Sequence, residues 1–249
     1  MELQSDPLYT DANLLAYYRL EDTSASVGGA TRNLTNTNSV AFTSGAVYAN
    51  GANFGAANSN QYLSTSGFNA GTGSLSTAMS FVGRYKMNTE IGAGSQSIMY
   101  LGVNGAPNIA YEIRYEYNGG TRRLAFNRRR ENIANNYQYV YWTLGTAKWW
   151  HIAWTWDNSN YHVYINGQWI QNFVVTGGTG NAGSEQSEFR LGRNRNADNL
   201  YASLQCDDVA VFDRVLTRDE IGNLYKDAAS PIYQNQYRRT RELRYVSRP

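Results

Sequence analysis

Apolar and polar positions alternate along most of this chain, and that period of two predicts strands rather than helices. The clearest case is 110–117. Tyr111, Ile113, Tyr115 and Tyr117 fall on one face, and Glu112, Arg114 and Glu116 on the other, as in a half-exposed strand. Asn118-Gly119 follows as a type I′ turn signal, and 122–128 returns as the second arm of a hairpin. Further strands are predicted at 14–20, 62–63, 80–87, 97–103, 137–144, 149–156, 161–165, 168–175, 189–192 and 201–212. The turn Asp157-Asn158-Ser159-Asn160 and then Asn166-Gly167 join three of these into a meander. Turn signals recur at about the 8–12-residue spacing of an all-β sandwich, and no βαβ alternation or internal repeat interrupts them.

One helix stands out. Thr217 and Glu220 have capping-box spacing, Leu216 and Ile221 fit a hydrophobic staple, and Leu224 and Tyr225 continue the apolar face. The spacing predicts a short helix over 218–226, and Pro231 bars its continuation.

Composition narrows the function. The chain has 249 residues, which one all-β domain can use in full. One cysteine excludes an intramolecular disulfide framework, and two histidines argue against a multi-histidine zinc site. No apolar run approaches the roughly 18 residues needed to span a bilayer. The net charge of +2 hides an uneven distribution: residues 230–249 hold five arginines and one glutamate, while the other 229 residues hold 17 basic against 19 acidic groups. Arginine outnumbers lysine 19 to 3, a bias either of lineage or toward interfaces, where its planar fork pairs and stacks. Met1-Glu2-Leu3-Gln4-Ser5-Asp6-Pro7 has no basic or apolar leader, so the expectation is a processed chain or release by another route, such as viral lysis.

Several segments resemble a known family. Trp150-His151-Ile152-Ala153 through Trp156-Asp157, then Tyr161 to Asn166-Gly167, is similar to its Trp-His-Val-Ala hairpin. Arg190-Leu191-Gly192 resembles a later strand, and Asp207-Asp208-Val209-Ala210-Val211-Phe212 with the helix after it resembles the closing segment. Leu15 to Asp22 resembles the opening strand. These match laminin-G-like, concanavalin A-like lectin/glucanase modules of bacterial and phage type, over about residues 11–229. The resemblance implies an all-β fold, a two-sheet antiparallel jelly-roll sandwich with one short C-terminal helix. It also implies non-catalytic binding, often of carbohydrate and frequently with calcium. Two places depart from the family pattern: Ser26-Val27-Gly28-Gly29 replaces a loop that often helps bind calcium, and Ala202-Ser203-Leu204-Gln205 lacks an aromatic-x-Gly.

Candidate sites follow. Calcium needs six to eight oxygens around one point. Glu21, Asp22, Asp207 and Asp208 would supply some if the first and last strands are neighbours, as the resemblance implies; the alternative has one Asp of the pair facing solvent and the other accepting hydrogen bonds from backbone amides. Calcium is the candidate ion, and no other cofactor is expected. Glu112 and Glu116 share a strand face but lie about 13 Å apart by strand rise, too far for a glycosidase pair. His151 is predicted to pair near Gly167 and His162 near Trp156, which separates the two rings. Cys206 reads as a small buried hydrophobe. Arg122, Arg123, Arg128, Arg129 and Arg130 form a basic strip. It reads either as an anion-binding surface or as a solvated face balanced by Glu112, Glu116 and Glu131. Tyr137, Tyr139, Tyr141 and Trp142, with Asn135 and Asn136 beside them, form either a sugar-stacking surface or a core strand.

Residues 1–10 and 230–249 read as arms flanking the sandwich. In the second arm Tyr233, Tyr237, Arg238, Arg239, Arg241, Arg244 and Tyr245 are the expected anchors to protein subunits of a larger assembly. Three functions stay open: a structural or adhesive component of an extracellular assembly such as a virion surface, oligomeric there and able to hold glycans; a free lectin; and, most distantly, a glycan-cleaving enzyme. Nucleic-acid binding and membrane insertion are not expected.

Overall fold

The computed structural model describes residues 10–27, 32–44, 50–56, 59–66, 78–102, 109–128, 137–157, 159–174, 188–194 and 200–226. Their alternating side chains sort into two antiparallel sheets. Sheet A contains β1 (Leu14–Tyr18), β3 (Ala41–Ser44), β4 (Asn50–Phe54), β6 (Met79–Met87), β11 (Trp150–Trp156), β12 (Asn160–Ile165), β13 (Gln168–Val174) and β15 (Leu204–Phe212). Its order is β13-β12-β11-β6-β15-β4-β3, with β1 paired to the far half of β15. Sheet B contains β2 (Thr35–Thr37), β5 (Tyr62–Thr65), β7 (Gly94–Gly102), β8 (Ile109–Asn118), β9 (Thr121–Arg128), β10 (Tyr137–Val140) and β14 (Glu188–Leu191), in the order β10-β9-β8-β7-β14-β5-β2.

The inner faces meet in an aromatic core. Trp154 is fully buried, with ring centroids 5.4 Å from Phe81, 5.7 Å from Tyr111, 5.8 Å from Phe126 and 5.4 Å from Tyr161. Rings of both sheets thus clasp one indole, Phe81 stacked on it and the others tilted or edge-on, arrangements that aromatic quadrupoles favour. Tyr18 stacks on Phe189 at 5.7 Å further along. Phe54 lies so close to Gly192 that a Cβ there would sit 2.6 Å from its ring, and Gly192 has φ +80°, so both sterics and backbone require glycine.

A second, smaller core lies on the outer face of sheet A. Helix α1 (Arg218–Lys226) sets Ile221 and Leu224, with Leu216 just before it, against Tyr17, Val82, Ala153, Tyr164 and Ala210. The expected cap is formed: the Glu220 amide donates to Thr217 Oγ1 at 3.3 Å, and the Thr217 amide donates to Glu220 Oε2 at 2.7 Å. The predicted helix limits agree with the structure.

Three expectations are corrected. The first hairpin turns at Gly119-Gly120, not Asn118-Gly119: Asn118 pairs with Thr121, and the two glycines take the positive φ values, 57° and 87°, that a type I′ turn demands. The strand expected over 137–144 ends at Val140. Beyond it the Leu144 amide donates to the Tyr115 hydroxyl at 3.0 Å and the hydroxyl donates back to the Leu144 carbonyl, which satisfies backbone that a ladder would otherwise pair. Strands β2, β3 and β4 were not predicted; they are short and rich in Asn, Thr, Ser, Ala and Gly, without a large alternating apolar set.

Candidate functional site

The outer face of sheet B carries charge where β8, β9 and β10 lie side by side. Because Tyr111, Ile113 and Tyr115 turn inward, Glu112, Arg114 and Glu116 must turn outward. The register then sets Tyr137 and Glu112 in one row through Asn127, and Tyr139 and Arg114 in the next through Ala125. Glu112 is fully buried; it pairs with Arg114 at 2.6 Å and accepts a hydrogen bond from the Tyr137 hydroxyl at 3.0 Å. Burial pushes its carboxyl up, opposed chiefly by the Arg114 charge. Glu116 pairs with Arg123 at 3.0 Å. Each arginine also lies over a ring, Arg114 at 4.7 Å from the Tyr137 centroid and Arg123 at 3.6 Å from that of Tyr139. Tyr137 and Tyr139 stack on each other at 6.3 Å. The Tyr137 phenol is raised by burial and then by the Glu112 charge. Tyr141, two residues on, is 68% exposed. Trp142 turns away and meets Trp150 edge-on at 5.7 Å.

Of the four tentative sugar-binding residues, the structure therefore brings Tyr137 and Tyr139 together, leaves Tyr141 open beyond them, and sends Trp142 toward the core. Asn135 and Asn136 lie outside the described residues. In the described part of the basic strip, Arg122 pairs with Glu90 at 2.9 Å and Arg123 with Glu116, while Arg128 is buried with its guanidinium 4.5 Å from the Trp156 ring centre. Glu90 thus supplies a counter-charge that was not expected. Arg129, Arg130 and Glu131 lie outside the described residues.

Three of the four carboxylates considered for calcium take separate partners. Glu21 accepts the Asn50 amide at 3.0 Å, and Asp22 accepts the Ser24 amide at 2.6 Å. Asp207 is fully buried opposite Arg84 in the ladder. Asp208, on the bulge of β15 with φ +57°, accepts from the Tyr17 hydroxyl and faces Arg84 at 3.4 Å. Among the described residues no group of three or more His, Cys, Asp or Glu is placed to hold one metal ion. The reason is local: Glu21 and Asp22 already accept backbone N–H groups, and Asp208 already answers Tyr17 and Arg84, so this set does not fit a calcium cage.

Sequence reasoning missed Arg84. Its guanidinium joins Asp208 to the end of α1, donating to the carbonyls of Leu224 at 3.1 Å and Tyr225 at 3.2 Å. Those carbonyls are among the groups a helix leaves unpaired at its C-terminus. A lone arginine inside the apolar run Ser80-Phe81-Val82-Gly83-Arg84-Tyr85 is the signal that would have found it. A cavity of about 10 Å³, room for about one water, lies between Tyr17, Arg84, His151, Asp208 and Leu224. His151 is fully buried there, its ring 5.6 Å from that of Tyr225, with neither ring nitrogen hydrogen-bonded. Burial, and then the Arg84 charge, hold its pKa well below the ordinary value. His162 is one residue from its expected register, opposite Thr155, and pairs with Asp157 at 3.2 Å. Cys206 is buried, as expected, and burial raises its thiol pKa.

Two stacked antiparallel sheets closed by a C-terminal helix define a lectin-like jelly-roll sandwich. The family profile of the Concanavalin A-like lectin/glucanases superfamily, laminin G type, matches residues 60–222, and the chain belongs to that family. Solved structures agree on the fold. The binding domain of botulinum neurotoxin DC, in complex with rat synaptotagmin II, superposes with a TM-score of 0.67 at 14% identity, over 86% of this chain and 51% of that one. The same domain in complex with SialylT gives 0.66 at 12% identity, over the same shares. Domain 4 of AbnA, an extracellular arabinanase from Geobacillus stearothermophilus, in complex with arabinotriose, gives 0.62 at 19% identity, over 86% of this chain and 98% of that one. This chain spans about half the length of the neurotoxin binding domains it matches. No curated protein sequence matches it. The similar structures are mainly binding domains, and no helix among the described residues is long and apolar enough to cross a membrane.

Proposed function

We propose that this protein is a non-catalytic, glycan-binding adhesion module that acts outside the cell, and that it takes a neutral sugar on the outer face of β8–β10. The observation that carries this reading is the pair of charge-balanced units, Glu112–Arg114–Tyr137 and Glu116–Arg123–Tyr139, beside the open ring of Tyr141. Buried ion pairs are a weak source of stability, because desolvation offsets most of their attraction. Placed on an outward face, they hold hydrogen-bonding groups rigid for a ligand. A pyranose or furanose ring stacks its C–H face on Tyr141, while Arg123 and Glu116 at the rim offer a donor and an acceptor to hydroxyls. The pairing leaves no net charge to select an anion, which favours neutral sugars over sulfated or sialylated ones. Glu112 and Glu116 each answer a guanidinium, which supports binding rather than cleavage. The arabinotriose complex of AbnA domain 4 lends the reading support from a similar fold.

A glycan array tests it. The wild-type chain should bind neutral oligosaccharides, with little change in moderate salt, and Tyr141→Ala should weaken binding at least about tenfold, roughly 1.4 kcal/mol. Binding confined to anionic glycans, or unaffected by Tyr141→Ala, contradicts the site.

A second reading is compatible with the first: a component of a virion surface or another assembly, docked by its arms. What favours it is the basic, tyrosine-rich sequence of 230–249, including Tyr233, Tyr237, Arg238, Arg239, Arg241, Arg244 and Tyr245. These residues, and 1–9 of the other arm, lie outside the described residues. Deleting 230–249 should abolish incorporation into the assembly and leave the melting temperature of the sandwich unchanged; normal incorporation refutes the docking role.

A further inference from the structure

Sheet A ends at β13, and no described strand lies beyond it. At seven residues β13 is longer than the other edge strands, β1 with five, β3 and β10 with four each and β2 with three. Long edge strands offer a row of free N–H and C=O groups, and proteins usually blunt them with charge or proline. Gln168-Trp169-Ile170-Gln171-Asn172-Phe173-Val174 contains neither. It also carries two of the three exposed large hydrophobic side chains among the described residues, Trp169 at 48% and Val174 at 67%.

The register makes this strand self-complementary. Trp169, Asn172 and Val174 lie opposite Tyr164, His162 and Asn160, which alternate along β12 and so share one face. The irregularity between Val163 and Tyr164 absorbs Ile170, so the three residues are evenly spaced with Asn172 in the middle. A two-fold axis perpendicular to the sheet, running just outside the edge level with Asn172, would then set a second β13 antiparallel to the first. Trp169 meets Val174 of the second copy, Val174 meets Trp169, and the Asn172 amides face each other. No charged side chain of β13 is brought against another, and each exposed apolar group finds an apolar partner. Such a contact is isologous and closes on itself.

We infer that β13 is a homodimer interface, through which two copies join their eight-stranded sheets into one continuous sheet. A strand from an unrelated protein would gain the same backbone bonds, but only a second copy matches both apolar ends in register.

Light scattering on the full-length chain is the test. Wild type should show twice the 27.9 kDa chain mass, and Trp169→Lys and Val174→Lys should each return it to the monomer mass while still melting cooperatively as a folded sandwich. Residues directly opposed in antiparallel strands have Cα atoms about 4.5–5.5 Å apart, within disulfide reach. Asn172→Cys should therefore cross-link two chains under mild oxidation, since the native Cys206 is buried. A wild type that stays monomeric at its highest soluble concentration, a dimer that survives both lysine substitutions, or an Asn172→Cys chain that does not cross-link overturns the inference.

Discussion

Trp154→Ala should destabilise the sandwich by about 3–5 kcal/mol, the range for removing a large aromatic from a packed core. Domains of this kind are stable by only about 5–15 kcal/mol, so the variant should lose a large fraction of its margin. Position sets the size of the effect. Phe81 and Trp154 belong to sheet A and Tyr111 and Phe126 to sheet B, so the indole is part of the joint between the layers. The cavity left by alanine would be lined by rings held in their own strands, which limits collapse. Trp154→Phe should recover more than half of the loss. Denaturant melts of the two variants check this, and a loss below about 1 kcal/mol for alanine would mean that the layers do not depend on this cluster.

Acidification should weaken the attachment of α1. In the folded chain His151 is neutral, held so by burial and by the Arg84 charge, whereas the unfolded chain takes up a proton near about pH 6.5. A depressed folded pKa means that the unfolded state binds more protons below that value. The contribution of neutral His151 is therefore fully present above about pH 6.5 and is lost as pH falls toward the folded pKa, by at most about 1.4 kcal/mol per pH unit. The groups around the ring set the sign: Arg84 from β6 repels an imidazolium, Asp208 from β15 is already taken by Arg84 and Tyr17, and Tyr225 presents a ring. Glu112, raised by burial, titrates in the opposite sense, so the measurement compares wild type with His151→Asn at each pH, where its contribution cancels. The wild type should lose stability between pH 6.5 and pH 5 relative to the variant. Parallel curves would show that His151 takes a proton in place.

Much of this fold was legible because its signals are local. The 218–226 helix was readable from Thr217 and Glu220, since a capping box satisfies its own backbone groups within four residues. The 161–165 and 168–175 strands were readable from Asn166-Gly167, whose positive φ values turn the chain as expected. What escaped depends on distant partners. The 137–144 stretch alternates like a strand, but Tyr115, from another part of the chain, captures Leu144 and ends it early. The first hairpin slipped by one residue because Asn118-Gly119 and Gly119-Gly120 both satisfy a type I′ turn, and only the pairing of Asn118 with Thr121 decides between them. At the site, the sequence supplied Tyr137 and Tyr139, but not their pairing with Arg114 and Arg123, which needs the registers of β8 against β9 and of β9 against β10. The first and last strands are neighbours, as the calcium reading required, yet Glu21, Asp22 and Asp208 each answer a different partner, which the sequence does not show.

The measurement that tests the glycan reading most directly is a structure of the chain bound to the best neutral oligosaccharide from the array. A sugar ring stacked on Tyr141, with hydroxyls hydrogen-bonded to Arg123 and Glu116, is the predicted result. A sugar bound elsewhere on the sandwich, with the Tyr137–Tyr139–Tyr141 face bare, would contradict it.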